Sequence, residues 1–441
     1  MIEPVLLKVA KEKGVDARFN TECLGVRHDE EKVTVTLKDR SSNSTYKVTA
    51  DYLIAADGAN SPIRSQLGIQ RTGQGSYGNL LNVLFHTSPS LEPLVKNREF
   101  SICKIDRPEV TGIFTSINNT DRWVFHLSYS PNKGEKPEDF PPERCEKLLH
   151  KALGIGPEEL KIDIKSILPW QASVRVAEKF QVGRIFLAGD SAHQMPPYAG
   201  QGANSGISDV HNLAWKLALV LKRHVQSSLL DTYEVERLPV DTFAAEVSGS
   251  AADERGLISM NKDLKTILSL ARRLHITSGF GHTYNSKAIV DESTWPLGGL
   301  TWRAWTMQSV FLGLDGRPGS GAPHEWVQRE GRRISTLDLL GRDFVLLAGS
   351  EGEVWCETAK HISSVLDGFK IVTYSLGPNG NISDPDRKWE TAAGISSTGM
   401  LLVRPDGFVA WRERKLPANV GKRMEEVIRS IASYPAASTR M

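Results

Sequence analysis

The sequence has few of the features that mark several special classes of protein. Only four cysteines occur in 441 residues, and none forms a CxxC pair or has the Cys/His spacing of a zinc site. This scarcity favours a reducing compartment and argues against a disulfide-stapled or metal-stabilised fold. The formal net charge is only +2, and no cluster of Lys and Arg stands out. That balance argues against a nucleic-acid-binding protein.

Long apolar runs are also missing, since none approaches the ~20 residues that a membrane-spanning helix needs. The first residues, MIEPVLLKVAKEKG, mix apolar side chains with Lys and Glu, which predicts an amphipathic helix over 2–13 rather than a signal peptide. We therefore predict a cytoplasmic protein with no membrane partner. A chain of 441 residues that is 40% apolar and 24% charged is typical of a globular protein with two or three domains.

One stretch, 183–221, carries most of the chemical information. Its apolar run at 185–188 is typical of a strand buried in a parallel sheet. Gly189 and Asp190 follow, then a loop rich in Pro and Gly, and then a helical pattern that begins near Asn204. Ligands of open α/β sheets bind at such a place, outside the carboxyl ends of the strands.

The residue types in this stretch suit a flat ligand that carries hydroxyl groups. Asp190 can accept hydrogen bonds from a ribose or a ribityl chain. Gly200 and Gly202 allow the backbone to approach a ring system closely. The positive end of the following helix would stabilise an anion, such as the N1–C2=O edge of a reduced flavin. The alternative is an ordinary strand–loop–helix connection whose glycines only make a turn.

A second strand-like run, 52–56, leads to a similar arrangement. It delivers Asp57 and Gly58 to a loop, after which Ser61 and Pro62 begin a helix. Arg64 on the first turn of that helix could reach a phosphate or a carboxylate. Alternatively, Arg64 only pairs with a nearby acid.

Residues 189–218 match the pattern GDxAH-xxPP-xxGxGxN-xxxxDxxNLxWKLA position by position. They resemble the second FAD-binding motif of the class A flavoprotein monooxygenases, the phenol hydroxylase and polyketide hydroxylase group. The pair at 57–58 resembles the DG motif of the same family, which serves both FAD and the nicotinamide cofactor. The resemblance implies that Asp190 contacts the ribityl chain and that Pro197 lies near the flavin. The cofactor-binding residues so predicted are Asp57, Gly58, Arg64, Gly189, Asp190, Pro197, Gly200, Gln201, Gly202, Ala203 and Asn204.

The resemblance also implies an activity. It is an FAD- and NAD(P)H-dependent monooxygenase that inserts one oxygen atom from O2 into a phenolic or polyketide-type aromatic, through a C4a-hydroperoxyflavin. No metal, protein nucleophile or general base is needed. Epoxidation, Baeyer–Villiger insertion and the choice between NADH and NADPH stay open. Two alternatives are a non-catalytic truncated family member that cannot retain FAD, and another flavin-dependent oxidoreductase.

Family members hold the ADP half of FAD on an N-terminal βαβ unit with a GxGxxG turn, and no such unit precedes the motifs here. The GxGxxG at 73–78 follows no buried strand and precedes a strand-like run, so we interpret it as a loop. We therefore expect the chain as given to bind FAD weakly or not at all. We also expect the strand at 185–188 to be left with an open edge.

The run Tyr-Glu-x-Glu-Arg-x-Pro at 233–239 also recurs in the family, and we interpret its Glu and Arg as capping and pairing on a surface. Further on, the last ~120 residues predict a separate domain by length. Asp406-Gly407 lies between two strand-like runs and predicts a hairpin turn. This region resembles the thioredoxin-like C-terminal domain of the same hydroxylases. Its single cysteine, Cys356, lacks a partner two residues away, which favours a structural or homodimer-contact role.

The predicted fold is α/β. A truncated FAD-binding domain, Rossmann-like and of the glutathione reductase type, is combined with an antiparallel substrate sheet and a C-terminal thioredoxin-like domain. The predicted segments are the remainder of the FAD-binding domain at 1–75, the substrate sheet at 76–175, the GD motif and its helix at 176–225, a helical segment and linker at 226–316, and the thioredoxin-like domain at 317–441.

Overall fold

The computed structural model describes residues 2–197, 200–253, 255–257, 282–290, 315–366 and 369–433. Over these ranges it shows a mixed α/β protein with a C-terminal domain that has a sheet of its own, which confirms the predicted α/β class. The thioredoxin-like assignment and the segment boundaries stay predictions. Among the described residues, no helix combines the length and the apolarity needed to cross a bilayer.

The elements of the first part are, in chain order, α1 (Glu3–Glu12), β1 (Thr21–His28), β2 (Val33–Asp39), β3 (Thr45–Ala50), β4 (Leu53–Ala55), α2 (Pro62–Gln66), β5 (Arg71–Ser88), α3 (Glu92–Val95), β6 (Ile102–Arg107), β7 (Val110–Ser116), β8 (Arg122–Tyr129), α4 (Pro142–Leu153), β9 (Lys161–Ala177), β10 (Gln181–Val182), β11 (Ile185–Leu187), β12 (His193–Gln194), α5 (Gln201–Leu221) and α6 (Thr232–Ser250). Short 3-10 helices lie at Pro131–Lys133, Pro137–Asp139, Gly189–Ser191 and Ser227–Asp231.

A small parallel pair organises the part of the fold that carries the two motifs. Strand β11 lies parallel to β4, with Ile185 opposite Leu53 and Leu187 opposite Ala55, and β10 covers its other side. The expectation of an open edge on β11 is therefore wrong. The short connection at 183–184 folds β10 back onto β11, so among the described strands β4 is at the edge of this sheet.

The predicted antiparallel sheet is present and has six strands in the order β12-β9-β5-β8-β7-β6. Buried and less buried residues alternate along β8, and the buried ones are Trp123, Phe125, Leu127 and Tyr129. Together with α4 they form one apolar cluster on that face of the sheet. The strands β1, β2 and β3 form a separate antiparallel sheet.

The glycine-rich segment 73–78 is not a loop, as the sequence suggested, but part of the long strand β5. Gly73 and Gly75 adopt positive φ angles of 118° and 79°, and the register to β9 shifts beside them. A Cβ on Gly78 would lie 2.0 Å from the carbonyl oxygen of Arg255. Gly73 and Gly75 therefore allow bulges in the strand, and Gly78 allows a close approach of two backbone segments. None of them forms a phosphate-binding turn.

The C-terminal domain contains β13 (Trp326–Arg329), β14 (Arg332–Ser335), a 3-10 helix (Thr336–Leu339), β15 (Phe344–Ala348), α7 (Glu353–Val365), β16 (Ile371–Gly377), β17 (Ile382–Ser383), α8 (Lys388–Ala393), β18 (Met400–Val403), β19 (Val409–Glu413) and α9 (Val420–Ile431). One mixed sheet joins them in the order β14-β13-β17-β16-β15-β18-β19. Strands β15 and β16 are parallel across α7, whereas β18 and β19 form an antiparallel hairpin. The predicted hairpin turn at Asp406-Gly407 is confirmed, and Gly407 has a φ of 82°.

Helix α5 packs against the turn that follows β11 at a point where only glycine fits. A Cβ on Gly206 would lie 3.3 Å from the Cα of Gly189, whereas one on Gly202 would lie 3.9 Å from the Cγ of Met195. Because residue 206 has no side chain, α5 can approach the Gly189–Ser191 turn closely.

We predict that Gly206→Val lowers the free energy of unfolding by about 1–3 kcal/mol, because the branched side chain pushes α5 away from the turn. Denaturant unfolding of this variant beside Gly202→Val measures the effect. The Gly202 variant makes the same change in the same helix with room to accept it. Equal losses in the two variants would contradict the close packing assigned to Gly206.

Candidate active site

The two motifs predicted from the sequence lie side by side. Because β4 and β11 are parallel, Asp57-Gly58 and Gly189-Asp190 both emerge at the carboxyl edge of the same sheet. Ser191 ties the two turns together, since its hydroxyl donates to the carbonyl oxygen of Ala55 at 2.6 Å. Each motif follows the end of a strand, and because the two strands are parallel, both motifs lie at one edge of the sheet. Ligands of such sheets usually bind at this edge.

Arg64 is buried and links the first motif to the second. Its guanidinium donates to the carbonyl oxygens of Ser191, at 2.8 Å, and Ala59, at 3.1 Å. Ser61 accepts the Arg64 backbone N–H at 3.0 Å and so caps α2, as its position before Pro62 predicts. Both side-chain bonds go to backbone carbonyls rather than to an acid. The role of Arg64 as a cofactor ligand stays a prediction.

The N-terminus of α5 opens at the surface near this edge. The helix begins at Gln201, three residues before the predicted start, after Gly200 in the left-handed conformation with a φ of 65°. A Cβ on Gly200 would meet no described atom within 4 Å. Ala203 and Asn204 are exposed, and Gln201 is buried beneath them. The free N–H groups and the positive end of the helix dipole therefore face an accessible space.

The two acidic residues of the motifs are exposed but have different surroundings. Asp57 accepts the backbone N–H of Ile63 at 3.1 Å and thereby supports the start of α2. Asp190 has no hydrogen-bond partner among the described residues, and Pro197 is also exposed. An exposed carboxylate beside an open helix N-terminus fits a ligand with hydroxyl groups and an anionic ring edge. The residues present therefore fit FAD.

Comparison with known proteins decides the family. A model described as an FAD binding domain matches residues 1–248, and one described as the C-terminal part of aromatic-ring hydroxylases matches 315–435. The chain belongs to the FAD-binding aromatic-ring hydroxylases. The family resemblance drawn from the motifs is thus confirmed.

Individual relatives of this hydroxylase agree with the family models. The chain is 37% identical over 440 residues to a tetracenomycin A2 monooxygenase-dioxygenase from Streptomyces glaucescens, covering 98% of this chain and 74% of that protein. It is 33% identical to a 4-methyl-5-nitrocatechol 5-monooxygenase from Burkholderia sp, covering 98% and 77%. The crystal structure of aklavinone-11 hydroxylase with FAD and aklavinone aligns with a TM-score of 0.83 at 32% identity, again covering 98% and 77%.

A buried network that the sequence interpretation missed holds the Gly189–Ser191 turn. Asp209 on α5 accepts the backbone N–H of Gly189 at 2.9 Å and the Nε2–H of His193 at 2.8 Å. Arg237 on α6 donates to Asp209 at 2.8 Å and to Asp241 at 2.6 Å. All four side chains are buried. The prediction that Glu236 and Arg237 pair on a surface is therefore wrong.

The charges within this network shift the pKa values of its two carboxyl groups in opposite directions. Burial alone would raise the pKa of Asp209, but the hydrogen bond from His193 and the charge of Arg237 hold it below its usual range. Burial and the like charge of Asp209 raise the pKa of Asp241 despite Arg237. Although single oxygen or nitrogen atoms of His193, Asp209 and Asp241 lie within 4.8 Å of one another, a metal ion there would face the guanidinium of Arg237.

Glu236, the neighbour of Arg237, is the centre of a second buried cluster. It accepts from Arg404 at 2.6 and 2.9 Å, from Lys216 at 2.9 Å and from Asn212 at 2.7 Å. Burial would raise the pKa of Glu236, but the charges of Arg404 and Lys216 hold it well below its usual range. The same burial lowers the pKa of Lys216 to about 8. The sequence did contain a signal for this cluster. The charged residues of the Tyr-Glu-x-Glu-Arg run do not lie along one exposed face of the helix.

The depressed pKa values of Glu236 and Asp209 predict the acid sensitivity of the fold. Each carboxylate stabilises the folded state above its unfolded pKa of about 4, and that stability is lost as the pH falls towards the lower folded pKa. Glu236→Gln should reduce the slope of unfolding free energy against pH below pH 4 by up to ~1.4 kcal/mol per pH unit. It should also lower stability at pH 7 by about 3–5 kcal/mol, because two buried cations lose their counterion.

Denaturant unfolding at several pH values measures both effects. The matched control is Glu135→Gln, which removes a half-buried partner of Arg144 at the surface and should cost less than ~1 kcal/mol. An unchanged slope together with a loss as small as that of the control would show that Glu236 is not an ionised buried group.

Proposed function

We propose that this chain is an FAD-dependent monooxygenase that inserts one atom of O2 into a phenolic or polyketide-type aromatic. The observation that carries the proposal is the shared carboxyl edge of β4 and β11, where an exposed Asp190 lies beside the open N-terminus of α5. The relatives named above are monooxygenases and hydroxylases of aromatic compounds. FAD, when bound, supplies the transfer of electrons from a nicotinamide cofactor to O2.

The protein residues hold and orient that cofactor. The Asp190 carboxylate would accept hydrogen bonds from ribityl hydroxyls, and the first N–H groups of α5 would stabilise negative charge at the ring edge. Gly200 and Gly202 leave space for the ring to approach the backbone. Asp209 fixes the turn that carries Asp190, because it holds the Gly189 N–H from within the core.

One face of the six-stranded sheet suits an aromatic substrate. On the face opposite α4, His126 lies between Asn82, with Nδ1 2.6 Å from Oδ1, and Thr115, with Nε2 3.0 Å from Oγ1. Burial lowers the pKa of His126, so the ring is neutral. Trp170 packs edge-on against it with the ring centres 6.2 Å apart. The Trp170 Nε1–H is buried and has no partner within the described residues, which leaves a donor for a phenol or quinone oxygen.

A cluster of three arginines beside the DG motif supports NAD(P)H as the reductant. Arg64 and Arg71 both donate to the carbonyl oxygen of Ala59, at 3.1 and 3.2 Å. Arg71 also donates to Gln194 at 2.6 Å, and Gln194 lies opposite Arg175 in the sheet. Burial and the like charges of its two neighbours lower the pKa of Arg64, and burial with the charge of Arg175 lowers that of Arg71.

Arg175 pairs with Gln194 through the sheet, but its side chain makes no hydrogen bond or ion pair with another described residue. Three cations held together repel one another unless an anion joins them, and a guanidinium is well suited to a diphosphate. We therefore assign this cluster to the diphosphate of NADH or NADPH.

Replacing Asp190 by Ala should weaken FAD binding by about 10- to 100-fold, the loss expected for hydrogen bonds to a charged acceptor. Equilibrium dialysis against FAD measures the dissociation constant. Asp231→Ala is the matched control, since it removes another exposed aspartate from the same domain. Equal FAD affinity in the Asp190 variant and the wild type would overturn the assignment of the GD motif.

Replacing Arg175 by Gln should raise KM for the nicotinamide cofactor roughly tenfold or more, because a charge-assisted phosphate contact is lost, while FAD affinity stays unchanged. Steady-state oxidation of NADH or NADPH with excess FAD and a phenolic substrate measures this effect. Arg122→Gln, an exposed arginine on β8 of the same sheet, is the control. An unchanged KM would remove the cluster from the nicotinamide site.

A further inference from the structure

The turn between β18 and β19 of the C-terminal domain penetrates the FAD-binding domain. Its residues Arg404 and Asp406 are buried, although both have ionisable side chains. Burying charges is costly unless each is paired and hydrogen-bonded. The residues that pair with Arg404 and Asp406 therefore show how the two domains depend on each other.

Arg404 binds α6. Two nitrogens of its guanidinium donate to the two carboxylate oxygens of Glu236, at 2.6 and 2.9 Å, in the bidentate geometry that restricts both side chains. The same guanidinium also donates to Asp406 within its own turn. The position of Glu236 is thus set by the C-terminal domain.

Asp406 binds α5. It accepts the indole N–H of Trp215 at 3.0 Å and an amide N–H of Asn212 at 3.4 Å. Asn212 also donates to Glu236 at 2.7 Å, so the turn, α5 and α6 share one set of buried bonds. The contact therefore fixes the two helices against each other.

The same two helices hold the Gly189–Ser191 turn. Arg237 follows Glu236 on α6 and donates to Asp209 on α5, and Asp209 accepts the Gly189 N–H. Tyr284 joins both clusters, because its hydroxyl accepts from Arg237 at 3.1 Å and its ring lies 5.4 Å from the Arg404 guanidinium carbon. An uninterrupted series of buried contacts thus leads from Arg404 to Gly189.

We propose that the C-terminal domain positions the flavin-side turn Gly189–Ser191, with Arg404 and Asp406 acting as positioning residues through Glu236, Arg237 and Asp209. The part that concerns flavin rests on the proposed function, whereas the coupling between the domains does not. In that case the C-terminal domain supports the cofactor site without contacting the cofactor.

The coupling is tested by hydrogen exchange on the full chain without added flavin. In Arg404→Gln, peptides covering 187–195 and 201–212 should exchange roughly tenfold faster or more, because the turn and α5 lose their buried support. Peptides covering 81–85 and 123–127 of the six-stranded sheet should keep their protection. Arg423→Gln is the matched control, since Arg423 pairs with Glu413 at 2.9 Å within the C-terminal domain.

Three outcomes decide the proposal. Faster exchange confined to the turn and α5 supports it. Unchanged exchange at 187–195, or equal acceleration in every peptide, contradicts it, because Arg404 would then act only on its own domain or on global stability. If the Arg404 variant does not fold, Asp406→Asn carries the same test, since it keeps the shape of the turn and removes its charge.

A flavin titration adds a readout that a merely structural role would not move. In Arg404→Gln the flavin midpoint potential and visible spectrum should shift, in Arg423→Gln they should not, and Asp209→Asn combined with Arg404→Gln should shift them by less than the sum of the single changes. Additive shifts would contradict a shared path. Absence of flavin binding in the wild type would instead contradict the proposed function in favour of a truncated family member that cannot retain FAD, and would leave the exchange result standing.

Discussion

Glu236 and Arg237 are adjacent, oppositely charged and both buried on α6, and the arrangement of the protein depends on them. A buried charge is tolerated only where its counterions and hydrogen bonds are fixed in place. Glu236 requires Arg404 and Lys216, and Arg237 requires Asp209 and Asp241. Because these pairs must form, α5, α6 and the turn between β18 and β19 can pack together in few ways.

The chemistry at the carboxyl edge follows from that constraint. The parallel pairing of β4 with β11 brings the two motifs to one edge, but pairing of three residues in each strand does not fix a loop. The Gly189 N–H is held by Asp209, and the start of α5 is set against the same turn by the contact at Gly206. A flat cofactor needs such rigidity, because its contacts depend on positions within a fraction of an ångström.

The sequence predicted those features that local patterns encode. The start of α2 after Ser61 and the hairpin at Asp406-Gly407 agree with the structure because their caps and turns are specified by neighbouring residues. The strand at 185–188 was also expected, because a short apolar run admits few other structures. Local patterns do not show which strand pairs with which. For this reason the sequence predicted an open edge on β11, whereas in the structure β4 lies at the edge of that sheet.

The same limit explains the other corrections. Gly73–Gly78 has the letters of a turn, but pairing with the long strand β9 keeps it within β5. Glu236 and Arg237 look like surface charges along the chain, but both are paired in the core. Glu236 pairs with Arg404, 168 residues away, and Arg237 pairs with Asp209 on α5. In the predicted cofactor set, the parallel sheet brings Asp57, Gly58, Gly189 and Asp190 to one edge.

One titration decides whether the shared edge of β4 and β11 binds a flavin. The purified chain is titrated with FAD to millimolar concentration, and the change in flavin absorbance near ~450 nm is recorded. We expect a saturable change in the visible band as the ring leaves water for the edge beside α5. A change that stays proportional to FAD over the whole range, with no saturation, would show that this edge does not hold the cofactor.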